Sequence, residues 1–181
     1  MPSSAWTQID DVISLIKRVN PMSMLDVGVG FGKYGVLARE YLELWDGRDR
    51  YDDWRRRIDG IEVFEEYHNP IYDWAYDAVF FGNALEVIEK LDNYDLILMV
   101  DVIEHFEKED GARFLRLCSA RSKNILVVTP IRPSAQKSAF GNPHEEHRSA
   151  WTQEDLKPYG RLTAVPNRKS LVCLLSRKEN D

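Results

Sequence analysis

Asp101, Glu104 and His105 crowd into Val100-Asp101-Val102-Ile103-Glu104-His105-Phe106 directly behind an apolar run. Carboxylates and an imidazole this close can take a proton from a nucleophile, hold a cation, or bond a polar ligand. If the segment is helical, the i, i+3 and i+4 spacing puts all three on one face. His144 and His147 follow within Asn142-Pro143-His144-Glu145-Glu146-His147-Arg148-Ser149-Ala150-Trp151. Three readings compete. Asp101 is a hydrogen-bonding group, with Glu104 and His105 capping a helix or satisfying the core. His105 or His147 is a general base, worth about a hundredfold or more in rate. A divalent ion binds Asp101, Glu104, His105 and a loop histidine. The catalytic assignment rests on Glu104, His105 and His147, and no metal is assigned.

A second group of residues suits a nucleoside ligand. In Asp26-Val27-Gly28-Val29-Gly30-Phe31-Gly32 the alternating glycines let backbone approach a ligand and permit positive φ. Gly30-Phe31-Gly32-Lys33-Tyr34-Gly35 also spells the dinucleotide-binding pattern, which alone has little specificity. Glu62, about thirty residues beyond rather than the usual twenty, could accept hydrogen bonds from both ribose hydroxyls. In Phe81-Gly82-Asn83-Ala84 an amide could read an adenine edge. Phe31 and Tyr34 could cover a ligand, but aromatics in a first helical turn more often pack. Lys33 is more often exposed, and Trp45, Trp54 and Trp74 are either an acceptor rim or ordinary packing.

The elements that must position these groups alternate. Thr7 and Asp10 form a capping pattern, and Ile9, Val12, Ile13, Ile16 and Val19 recur at helical period until Pro21. Strands are predicted over Met24–Val27, Ile58–Val63, Ala78–Phe81, Leu96–Val100 and Ile125–Thr129, with helices from Tyr34 to Leu42, Leu85 to Leu91 and Phe114 to Cys118 between them. Continuously apolar strands alternating with helices predict a parallel sheet covered on both faces. Residues 45–57 are predicted as an irregular connection. The loop over 130–150 is long enough to suggest function. Thr152 and Asp155 cap a short helix, and Leu162–Val165 and Leu171–Leu175 form a final antiparallel hairpin.

With 181 residues, 44% hydrophobic and 30% charged, the chain suits one domain over 1–181. A formal charge of −6 does not support a sequence-independent grip on nucleic acid. Arg55-Arg56-Arg57, following Asp52 and Asp53, reads as a solvated, internally paired surface. Cys118 and Cys173, far apart in apolar segments, suit reduced core thiols and a cytoplasmic setting. Neither a membrane span nor a signal peptide is expected.

Taken in order, Leu25-Asp26-Val27-Gly28-Val29-Gly30-Phe31-Gly32, Glu62, Gly82-Asn83-Ala84 and Asp101-Val102-Ile103-Glu104-His105 resemble the successive motifs of class I, seven-strand S-adenosylmethionine-dependent methyltransferases. The resemblance implies a single-domain Rossmann-like α/β sandwich with sheet order 3-2-1-4-5-7-6 and the last strand antiparallel. It implies S-adenosylmethionine as cofactor, with Asp26 to Gly32, including Gly28 and Gly30, at the methionine part. Glu62 would lie at the ribose and Val63, Asn83 and Ala84 at the adenine, with Asp101 also among the cofactor contacts. The expected acceptor is a small or sugar-like molecule methylated at oxygen or nitrogen, under a cover formed by residues 1–21 and 130–150. Glu104-His105 with a downstream histidine resembles small-RNA 2'-O-methyltransferases and ubiquinone-pathway O-methyltransferases. Those families usually have glutamate where this chain has Asp101. A non-catalytic binding protein of the same fold is the alternative from another class, and an NAD-linked oxidoreductase would need a second mononucleotide unit that the sequence lacks.

Overall fold

The computed structural model describes residues 3–133, 136–138 and 141–177; a few positions of the 1–21 and 130–150 segments therefore lie outside the described residues. The strands are β1 (Ser23–Val27), β2 (Arg57–Glu62), β3 (Ala78–Phe81), β4 (Tyr94–Val100), β5 (Ser122–Pro130), β6 (Arg161–Val165) and β7 (Ser170–Ser176). They form one sheet in the order β3-β2-β1-β4-β5-β7-β6. Pairing is parallel from β3 through β5, and β7 runs antiparallel between β5 and β6. The chain reverses its direction of travel across the sheet between β1 and β4, which opens a crevice at the carboxyl ends of the strands.

Strand pleating explains the apolar runs. Leu96, Leu98 and Val100 of β4 pack on one face with Val12, Ile16, Tyr34 and Ala38. Ile97 and Met99 pack on the other with Ile103, Phe114 and Cys118. A strand buried on both faces has no place for polar alternation. The covering helices are α1 (Ile9–Val19), α2 (Lys33–Leu42), α3 (Pro70–Ala75), α4 (Ala84–Val87), α5 (Lys108–Arg121) and α6 (Gln153–Leu156). Thr152 and Asp155 cap α6 reciprocally, as their spacing predicts.

Two local expectations are corrected, and one short helix is added to those expected. Thr7 and Asp10 do not cap α1; a 3-10 turn, Trp6–Gln8, leads into it and Gln8 stands at the capping position without a side-chain bond to the helix. The short helix α3 has too few residues to show a period; it is started by Asn69, whose side chain accepts from Ile71 N–H, and by Pro70. Arg56 is not solvated. It is 7% exposed, donating to Pro21 O at 3.1 Å and Asn20 Oδ1 at 2.7 Å, while its own N–H reaches Glu43 Oε1 at 2.7 Å. Fully buried Glu43 also accepts from Arg55 N–H at 3.0 Å, so this cluster pins the insertion ahead of β2.

Both cysteines are buried and free. Among the described residues no helix is long and apolar enough to cross a membrane.

Candidate functional site

The turn leaving β1 needs its glycines. Gly28 sits at φ 73°, and a β-carbon there would lie 2.6 Å from Val102 Cγ2. Gly30 N–H donates to Glu62 Oε2 at 2.8 Å, so the end of β2 fixes the turn after β1. Glu62 Oε1 accepts from Val63 N–H at 2.9 Å and Phe64 N–H at 3.0 Å. Burial raises this carboxyl group and the three N–H donors oppose the rise. Oε1 thus has both lone pairs engaged, and Oε2 keeps one for a further donor.

A cavity of about 320 Å³ opens beyond the ends of β1 to β4 and is bordered by Gly28, Gly30, Glu62, Val63, Asn83, Ala84, Asp101 and His105. Asn83 Oδ1 caps α4 by accepting from Leu85 N–H at 3.0 Å, leaving its NH2 as the group to offer a ligand. Asp26 and Gly32 lie behind the wall rather than on it. Asp26 is 2% exposed and accepts at 2.7 Å from the hydroxyl of Tyr76, which itself accepts from Gly35 N–H at 3.0 Å. Burial pushes the Asp26 carboxyl to about 7, against the Tyr76 bond and with the charge of Glu62. Gly35 is required by this arrangement, because a β-carbon would stand 2.3 Å from the Tyr76 ring. Gly32 instead begins α2 in a left-handed conformation, φ 86°.

The segment after β4 is not one helical face. Asp101 has φ 55°, and only Ile103–His105 forms a 3-10 turn. Asp101 turns toward the N-terminal segment and accepts from Gln8 Nε2 at 2.8 Å. Burial raises its carboxyl group; Gln8, the Ala5 N–H and the positive charge of Lys33 act the other way. Glu104 is fully buried and is not among the residues that border the cavity, with Oε2 accepting from Thr129 Oγ1 at 2.9 Å and Oε1 lacking a partner among the described residues. Burial, aided by the charge of Asp101, pushes its carboxyl to about 8.

His105 Nδ1 lies 3.0 Å from Glu146 O. A carbonyl only accepts, so Nδ1 carries the proton and Nε2 keeps its lone pair. Burial lowers the His105 pKa. The His147 ring is 5.1 Å away, and one ligand atom each from Glu104, His105 and His147 lie within 4.8 Å of one another. Asp101 is outside that group.

The loop after β5 is drawn over the site by backbone and side chain alike. Arg148 and Ser149 N–H donate to Glu104 O at 2.8 and 3.0 Å, and Tyr67 donates to Glu145 Oε1 at 3.0 Å. Tyr67, Asn142, His144, Glu145 and Arg148 border the cavity. Gln8, Tyr67, Asn142 and Glu145 escape sequence reasoning as individual site residues because each acts through a partner distant in sequence. Helix α1 packs on the sheet, and among the described N-terminal residues Ser3 and Ser4 border the cavity. Lys33 and Tyr34 also border it, whereas Phe31 is exposed and packs edge-on to Tyr67. Trp45, Trp54 and Trp74 do not form its rim: Trp54 packs against Tyr51 and Trp74 at 4.8 and 5.3 Å, with the Arg39 guanidinium 4.7 Å from its ring.

No family model and no curated protein matches the chain. Solved structures do. An O-methyltransferase family protein from Burkholderia thailandensis superposes with a TM-score of 0.67 at 9% identity over 95% of this chain, which spans 57% of the length of that protein. The methyltransferase domain of bacterial CtHen1 gives 0.63 at 16% identity, covering 96% of this chain and 98% of that one. The N-terminal domain of EvdMO1, crystallised with S-adenosylhomocysteine and D-fucose, gives 0.63 at 14% identity, covering 97% and 85%. Strand order, strand direction and these superpositions give the chain the fold of the class I, seven-strand S-adenosylmethionine-dependent methyltransferases.

Proposed function

We propose that the chain acts as one domain that transfers a methyl group from S-adenosylmethionine to oxygen or nitrogen of a small or sugar-like acceptor. The observation that carries this reading is the convergence of Gly28, Gly30, Glu62, Asn83 and Asp101 on one cavity at the switch point of the sheet. The Gly28 and Gly30 backbone and the start of α2 suit the methionine carboxylate, and Asp101 suits its ammonium. Glu62 suits the ribose hydroxyls, and Val63, Asn83 and Ala84 the adenine. When bound, S-adenosylmethionine supplies an electrophilic methyl with its leaving group attached. The protein's work is then to align the acceptor, exclude water and remove a proton where the acceptor is a hydroxyl. His105 is the base in this reading, with Nε2 available and burial keeping the ring neutral. The EvdMO1 domain, crystallised in the presence of S-adenosylhomocysteine and D-fucose, supports a sugar-like acceptor. The buried thiols Cys118 and Cys173 suit the cytoplasm.

Thermal unfolding with S-adenosylmethionine, S-adenosylhomocysteine, NAD and NADP tests the cofactor. At a hundred times its Kd the right ligand stabilises by about 2.7 kcal/mol. A rise in Tm with the adenosyl compounds alone is expected. A rise with NAD alone, or none at saturation, overturns the reading, the latter in favour of a non-catalytic protein.

One observation favours a second, metal-assisted reading, as in the RNA 2'-O-methyltransferases the motif resembles. Glu104 Oε1 is buried without a partner and belongs to the same 4.8 Å group as the imidazoles of His105 and His147. A carboxylate and two imidazoles suit a divalent ion, which would acidify an acceptor hydroxyl. Calorimetric titration with Mn²⁺ decides it. Binding abolished by His147→Ala supports the metal; no binding by the wild-type protein rejects it.

A further inference from the structure

Gln8 belongs to no sequence motif, yet its side chain is fully buried. Both ends of its amide are engaged. Nε2 donates to Asp101 Oδ2 at 2.8 Å, and Oε1 accepts from Ser170 Oγ at 2.8 Å. These partners lie 93 and 162 residues away, one on the turn after β4 and the other at the start of β7. The carboxylate, which only accepts, fixes which way the amide faces, and the Ser170 hydroxyl donates to the oxygen this leaves at the other end.

Asp101 needs such a partner. Its backbone is in the left-handed region, which disfavours residues with a β-carbon, and Asp101 N–H is held by Val128 O at 2.8 Å. Asp101 borders the cavity, and the nearby Ala5 N–H also favours its charged form. The segment that carries Gln8 is itself tied down. Lys33 Nζ donates to Ser4 O, Ser4 Oγ to Tyr34 OH at 3.3 Å, and Asn167 Nδ2 to Thr7 O at 3.1 Å. An apolar side chain would fill the place of Gln8 without burying a polar group. What the amide adds is a donor that favours the charged form of Asp101 and sets its direction.

We propose that Gln8, held in place by Ser170, is a positioning residue that aims the Asp101 carboxylate at the ammonium group of the cofactor's methionine part. The amino-acid half of the cofactor is thus recognised through the N-terminal segment, the nucleoside half through β2 and β3. This rests on the reading of the cavity as an S-adenosylmethionine site.

The test compares S-adenosylhomocysteine with 5'-methylthioadenosine, which keeps the nucleoside and sulfur but lacks the amino acid. Calorimetric Kd values are measured for the wild-type protein, Gln8→Leu and Ser170→Ala. Gln8→Leu should weaken S-adenosylhomocysteine about tenfold or more, the loss of a hydrogen bond to a charged group, and methylthioadenosine less than about twofold. Ser170→Ala should weaken S-adenosylhomocysteine about threefold with the same selectivity; this milder variant carries the test if Gln8→Leu fails to fold. Equal losses for both ligands reduce Gln8 to a structural residue and overturn the proposal, as does unchanged binding of both. A wild-type protein that binds neither ligand overturns the cofactor reading and the role of Gln8 with it.

Discussion

His105 and Asp26 show how burial assigns different work to ionisable groups of one sheet edge. The bond from His105 Nδ1 to Glu146 O leaves Nε2 unprotonated, and burial makes protonation harder. Under the proposed function, His105→Ala should lower kcat by about a hundredfold toward a hydroxyl acceptor while leaving the Kd of S-adenosylhomocysteine within about twofold. A loss confined to cofactor affinity would refute the assignment. Asp26 lies too deep to meet a ligand directly. Its carboxyl is raised from 3.8 to about 7 by burial, so the folded state holds a proton that the unfolded chain releases. The resulting stabilisation is complete below about pH 4 and is lost as the pH rises through about 7. Asp26→Asn, which can still accept from Tyr76, should flatten the urea midpoint between pH 5 and pH 8 and raise it at pH 8. Glu62 faces the same group by its charge and Tyr76 by its hydrogen bond; an unaltered slope in the variant would transfer the effect to Glu62, because burial keeps the Tyr76 hydroxyl protonated throughout this range.

At the scale of elements, the insertion between α2 and β2 lengthens the spacing from the glycines to Glu62, and a buried ionic cluster holds it. Glu43 is fully buried and takes N–H bonds from Arg55 and Arg56, while the Arg56 guanidinium reaches Pro21 and Asn20. Glu43→Ala would remove the buried counter-charge of Arg56 and leave it only the half-exposed Asp46 carboxylate at 3.3 Å, at a cost of about 3 kcal/mol. For a chain of this length that is roughly 6–12 °C in Tm, measurable by calorimetry. A fall of only a degree or two would mean that the cluster is solvated in solution. The loop over 142–149 is likewise an element set by its attachments, to Glu104 O on one side and Tyr67 on the other. Tyr67→Phe should accelerate both binding and release of S-adenosylhomocysteine in stopped-flow measurements with Kd changed less than about threefold, since one hydrogen bond to a charged group is lost while the aromatic packing stays. Unchanged rates would show that the ligand enters elsewhere.

Across the whole molecule, the fold and the residues at the carboxyl edge of the sheet were legible because they depend on local pattern. A strand buried on both faces must be apolar throughout, as Leu96 to Val100 is, and a turn at positive φ against Val102 admits glycine, as at Gly28. Successive strands delivering Gly28 and Gly30, Glu62, Asn83 and Asp101 to one edge follow from the order of elements alone. Contacts between distant residues were not legible. Arg56 sits in a run that reads as a charged surface, and only the closing of the chain puts Glu43, Pro21 and Asn20 around it. Asp101, Glu104 and His105 read as one helical face, whereas the structure sends Asp101 to Gln8, buries Glu104 on Thr129 and turns His105 to Glu146. Sequence by itself determined the sheet and the residues presented at its carboxyl edge, because pleat, helical period and glycine conformation act over a few residues. Tertiary structure decided which of those residues face a ligand and which are buried behind it, because burial and hydrogen-bond partners are set by chain segments far apart in sequence.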